Sequence, residues 1–80
     1  MTAKQAIQLI IQNQETPALN YAVNYAKAAM LMDENSNEFE VQCIYIVNNI
    51  AGWRAKKGDY VMKNQIKEAR MAIKKAGKMK

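Results

Sequence analysis

Apolar residues recur at helical spacing in four stretches of the chain, and polar, turn-forming residues separate them. The first stretch follows "TAKQ", where Thr2 and Gln5 have the spacing of a capping box. Ala3, Ile7 and Ile10 then fall on one face, widened by Leu9 and Ile11, which predicts a short helix over residues 3–13. "ETPAL" marks the next boundary. Thr16 is placed to accept from the backbone, and Pro17 suits a first helical turn, where its missing N–H is not needed. A helix over 17–32 follows, with Leu19, Ala22, Val23, Ala26 and Met30 on one stripe and Tyr21, Tyr25, Ala28 and Met32 on another. Apolar residues on two sides suit a central helix or one buried in an oligomer.

"MDENSNE" reads as a loop that ends in a cap, either Ser36 or Asn35 with Glu38. Phe39, Cys43, Ile46, Val47 and Ile50 then form a core stripe, which Val41, Ile44 and Tyr45 extend and Trp53 continues. This predicts a helix over 36–54. The run "VQCIYIVNNI" is rich in β-branched residues, but its apolar positions do not alternate, so a strand is rejected. Gly58 suits a turn and Asp59 the next N-cap. The last helix spans 60–76, with Met62, Ile66, Ala69, Ile73 and Ala76 on its core face. The fold expected is one all-α domain, a small bundle of three main helices plus a short N-terminal one, with antiparallel neighbours.

Composition narrows the chemistry. Eighty residues, half of them hydrophobic, support one core near the lower size limit for a stable monomer, which favours self-association. Ala22, Ala26 and Ala29 line up as a candidate homodimer seam, and Tyr21 and Tyr25 on the helix's other side also need cover. Cys43 is the single cysteine and histidine is absent, so neither an internal disulfide nor a Cys/His zinc site can form. Asp33 and Glu34 share a loop, while Glu38 and Glu40 face different ways, so no acid pair stands out. The three glycines are scattered rather than gathered in a phosphate loop. No catalytic residue, metal, cofactor or small-molecule substrate is expected. No run is long enough for a membrane span. Gln8 and Gln12 interrupt the apolar N-terminal run and no cleavage pattern follows, so no signal peptide is expected either.

The net charge of +5 is unevenly spread. Residues 1–40 hold Lys4 and Lys27 against five carboxylates, a net −3. Residues 41–80 hold ten cations against Asp59 and Glu68, a net +8. At 100° per residue, Lys63, Lys67, Arg70, Lys74 and Lys78 fall in a sector of roughly 80° beside the core face of the last helix. A solvated face is the ordinary explanation for such a spine. The C-terminal helix dipole accounts for Lys74, Lys75 and Lys78, but not for Lys63 and Lys67. Like charges at i,i+4 repel, and a polyanion would relieve them, with phosphates releasing counterions on binding. Arg54, Lys56 and Lys57 extend the candidate nucleic-acid site, or else complement the end of the preceding helix. Trp53 is expected to close the core first and to stack on a base second. The four tyrosines read as rim packing. No helix-turn-helix, RNA-recognition or zinc-finger signature is present.

"LNYAVNYAKAA" and "VQCIYIVNNIAGWRAKK" carry Asn20, Tyr21, Ala22, Tyr25 and Ala26, then Asn48, Asn49, Trp53 and Arg54. Over roughly half the chain this resembles a pattern in small phage- and prophage-encoded helical proteins of unknown function. The resemblance implies an accessory protein expressed in the cytoplasm of a bacterial or archaeal host, and brings no activity with it. Two functions follow as expectations. One is a self-associating helical module whose basic last helix binds nucleic acid or an acidic protein surface. The other is a phage or host assembly protein in which the basic half serves solubility.

Overall fold

The computed structural model describes residues 1–78. Four α-helices form: α1 (Ala3–Gln12), α2 (Asn20–Met30), α3 (Asn37–Asn48) and α4 (Tyr60–Ala76). A 3-10 turn, Pro17–Leu19, precedes α2. No strand occurs among the described residues, so the all-α reading holds. Each helix packs on two others: α1 on α2 and α4, and α3 on α2 and α4. The radius of gyration is 11.6 Å, which is that of a compact chain of this length.

Three of the four helix starts follow the sequence. The Thr2 hydroxyl accepts from Gln5 N–H while Thr2 N–H donates to Gln5 Oε1, a complete capping box. Ser36 Oγ accepts from Phe39 N–H at 3.1 Å. The neighbouring Asn35 N–H is donated to Asp33 Oδ1 and not to Glu38, so the alternative capping box does not form. Asp59 Oδ1 accepts from Met62 N–H at 3.0 Å and starts α4 on the expected residue. Thr16 is the exception. Its side chain makes no cap, and its carbonyl instead accepts Leu19 N–H in the 3-10 turn, so the α-helix begins only at Asn20.

The helix ends differ more. α1 closes at Gln12, where Asn13 Nδ2 donates to Leu9 O. α2 stops at Met30 rather than at 32, and Lys4 from α1 reaches the Met30 carbonyl at its negative end. α3 ends at Asn48, six residues before the expected 54. The cause is local. Asn49 Nδ2 folds back on Tyr45 O at 2.7 Å and satisfies a terminal carbonyl that further helix would have used. α1 is the shortest helix at 10 residues, close to the 11 and 12 of α2 and α3, and α4 is the longest at 17.

The core gathers Ala6, Ile7 and Ile10 from α1, Ala22, Val23, Ala26 and Ala29 from α2, Phe39, Cys43 and Ile46 from α3, and Ile66, Ala69 and Ile73 from α4. Leu19, Ile50 and Trp53 join from outside the helices. Trp53 is 2% exposed and closes the core as expected, but an irregular segment puts it there, not a helical stripe. Only one side of α2 is buried: Tyr21 and Tyr25 face outward, and Tyr25 pairs with Tyr45 of α3 at 5.3 Å between ring centroids.

Candidate polyanion-binding site

Between α3 and α4 the chain runs irregularly and then turns back. Asp59 N–H donates to Lys56 O, closing a tight turn, and Gly58 within it has φ +92. That left-handed angle is one a glycine adopts without cost. The turn brings the 53–59 segment back along the first turns of α4. A cleft of about 670 Å³ opens between them.

Two stretches of sequence supply its cations: Arg54, Lys56 and Lys57 from the segment, and Lys63, Lys67 and Arg70 from α4. Residues 63, 67 and 70 share a face because they are four and three positions apart. The buried Trp53 and Ile66 form apolar parts of the lining, and Tyr60 and Met71 are exposed residues of it. Asp59 is the one carboxylate in the lining, and its Oδ1 is engaged as the α4 cap. Among the described residues the single ion pair joins Lys78 to Glu40, so none of the six cleft cations has a carboxylate partner.

The six are not equivalent. Arg54, Lys56, Lys57, Lys63 and Lys67 are exposed, whereas Arg70 is partly buried. Its Nη2 donates to the carbonyls of Ile50 at 3.2 Å and Trp53 at 3.4 Å, tying the segment to α4. Its Nε is buried with no hydrogen-bond partner. Arg70 is therefore a brace within the cleft as well as a charge. Lys74 lies one turn further along and is exposed, but it does not line the cleft.

The candidate dimer seam lies elsewhere and is closed. Ala22, Ala26 and Ala29 are fully buried within the single chain, where α2 packs against α1 and α3. Small side chains let those helices approach, so the stripe serves internal packing. Of the five residues, Tyr21 and Tyr25 alone are exposed.

Cys43 is fully buried, and burial with the Glu40 carboxylate pushes its thiol up to about 11. A thiol in that state is not a nucleophile at neutral pH. Among the described residues no three Cys, Asp or Glu side chains come together as a metal site.

The sequence singled out the six cations but not their arrangement around a cleft, which depends on α3 ending early. It also passed over Tyr60 as rim packing, although Tyr60 is 71% exposed. Its position three residues before Lys63 puts both on one helix face and is a signal that can be read from spacing.

Fold and site together define a small all-α domain with an unneutralised cationic cleft between a capped turn and the helix it starts. No protein-family model, no curated protein and no solved structure matches the chain.

Proposed function

We propose that this protein is a non-catalytic helical binding module whose cleft holds the phosphate backbone of a nucleic acid. The observation that carries the reading is the convergence of six cations from two stretches of sequence on one cleft with no ion pair among them. Solubility alone is served by dispersed charge. Gathered like charges repel, and a string of phosphates relieves that repulsion while releasing its own counterions. The five exposed cations provide the phosphate contacts, and Arg70 fixes the geometry of the cleft. The absence of histidine and the inert state of Cys43 support a binding role over a catalytic one.

Titration of labelled DNA and RNA oligonucleotides at two salt concentrations tests the reading. Each single-strand phosphate that the exposed cations neutralise adds about −0.7 to the slope of log K against log salt, so binding weakens as salt rises. The double variant Lys63→Glu, Lys67→Glu alters exposed side chains, so it keeps its helical circular dichroism while losing affinity. Absence of binding to every oligonucleotide at low salt overturns the proposal.

A further inference from the structure

Resting on the cleft reading, we infer that the nucleic acid is single-stranded and that a base stacks on Tyr60. Three observations lead there. First, the cleft is concave and of about 670 Å³. That is the size of pocket that encloses a drug-sized molecule, on the scale of roughly one or two nucleotides. A single strand fits such a space more closely than a duplex does. Second, the cations do not lie on one helix alone, as those of a recognition helix do. The 53–59 segment lines the same cleft, anchored at its start by the Arg70 bonds to the Ile50 and Trp53 carbonyls. The cations consequently flank a strand from two sides: Arg54, Lys56 and Lys57 on one wall, Lys63 and Lys67 on the other.

Third, an exposed aromatic ring sits among those cations. Tyr60 is 71% exposed, is the first residue of α4 and belongs to the cleft lining. A ring that loses so little of its surface to the core has a free face to offer. Proteins that hold single strands combine a cationic groove with such rings, because every base has a face that stacks. Trp53, the other aromatic residue of the lining, is 2% exposed and has no such face. Stacking therefore falls to Tyr60.

Fluorescence anisotropy with a labelled DNA 12-mer, the RNA of the same sequence and the matching duplexes tests the inference. Heparin serves as a polyanion without bases. Wild type binds the DNA or the RNA strand more tightly than its duplex. Tyr60→Ala weakens single-strand binding about tenfold, leaves heparin binding and the salt slope unchanged, and Tyr60→Phe restores the affinity. Equal or tighter duplex binding overturns the inference, as does unchanged single-strand affinity in Tyr60→Ala. In either case the cleft reading survives if binding still falls with salt and with Lys63→Glu, Lys67→Glu. Failure of all strands to bind at low salt instead overturns the cleft reading itself.

Discussion

Arg70 donates from one guanidinium nitrogen to the backbone carbonyl of Ile50, twenty residues earlier, at 3.2 Å. The same nitrogen reaches the Trp53 carbonyl at 3.4 Å. These two carbonyls lie past the end of α3; that of Ile50 also accepts the Trp53 N–H at 3.0 Å, while that of Trp53 is met by Arg70. Such groups cost free energy when buried without a donor. The bonds therefore hold the segment that forms one wall of the cleft. Arg70→Met removes the donors and keeps much of the stem packing, so it destabilises the fold by about 2 kcal/mol. Urea denaturation measures this, and Trp53 fluorescence should shift red as the segment loosens. Lys67→Met, on an exposed neighbour, stays within about 0.5 kcal/mol of wild type. An Arg70→Met variant as stable as wild type would remove the bracing role.

Gly58 and Gly52 lie six residues apart and respond oppositely to an added methyl group. At Gly58 space is open, but φ is +92, a conformation that costs an L side chain roughly 1–2 kcal/mol. At Gly52 the new Cβ would meet Ala18 Cβ at 3.9 Å, an ordinary contact, and no left-handed angle is required. Gly58→Ala is expected to destabilise by about 1 kcal/mol after the stiffer unfolded chain offsets part of the strain. For a chain of this size that is a drop of about 4–8 °C in Tm. Gly52→Ala should leave Tm within about 2 °C or raise it. Paired thermal melts decide the matter, and equal effects at the two sites would contradict the turn geometry.

The difference between what could and could not be read from the sequence follows the range of the interactions. Thr2, Ser36 and Asp59 cap helices through bonds to residues three positions away, so composition and spacing reveal them. The core faces of α1 and α4 were equally plain, since few polar residues interrupt their period. The hydrophobic period overextends α3 because Ile50 and Trp53 fit it and are buried, although neither is helical. Burial was correct where secondary structure was not. The backbone turns at Asn48–Asn49, and a side-chain bond to Tyr45 O decides that, which hydrophobic period does not register. The cations of the site were evident as a spine, but a spine and a cleft wall look alike until the segment opposite is in place. The alanines of α2 show the same ambiguity: small residues at helical spacing fit a neighbouring helix of the same chain as well as one from a second copy.

Cys43 links stability to alkaline pH. Its thiol pKa is raised from an ordinary 9.0 to about 11, by burial first and by the Glu40 carboxylate second. The folded state thus keeps a proton that the unfolded state loses above about pH 9. Unfolding is favoured as pH rises, so the contribution is complete below pH 9 and disappears towards pH 11. Two pKa units correspond to about 2–3 kcal/mol. Wild type and Cys43→Ala, unfolded by urea at steps between pH 8 and pH 10.5, share every other titrating group. Their stability difference should shrink in favour of the variant by about 1–2 kcal/mol over that range. A difference that stays constant with pH would show that the thiol does not titrate differently in the two states. At pH 7.5, Cys43 should react with a thiol reagent only as fast as the fold opens.

A basic spine and a basic cleft make different predictions for Lys67 and Lys74, which lie seven residues apart on α4 and are both exposed. If the whole spine met the ligand, neutralising either would weaken binding alike. In the cleft reading Lys67 faces the strand and Lys74 lies beyond the lining. Lys67→Gln should weaken single-strand binding several-fold at moderate salt and make the log K against log salt slope shallower by about 0.7. Lys74→Gln should leave the slope unchanged and shift affinity less than about twofold, through long-range attraction that salt screens. The comparison uses one residue type and one substitution on one helix, so differences in helix propensity cancel. Equal losses at both positions would extend the site along the helix beyond the cleft. A loss at Lys74 alone would place it away from the cleft altogether.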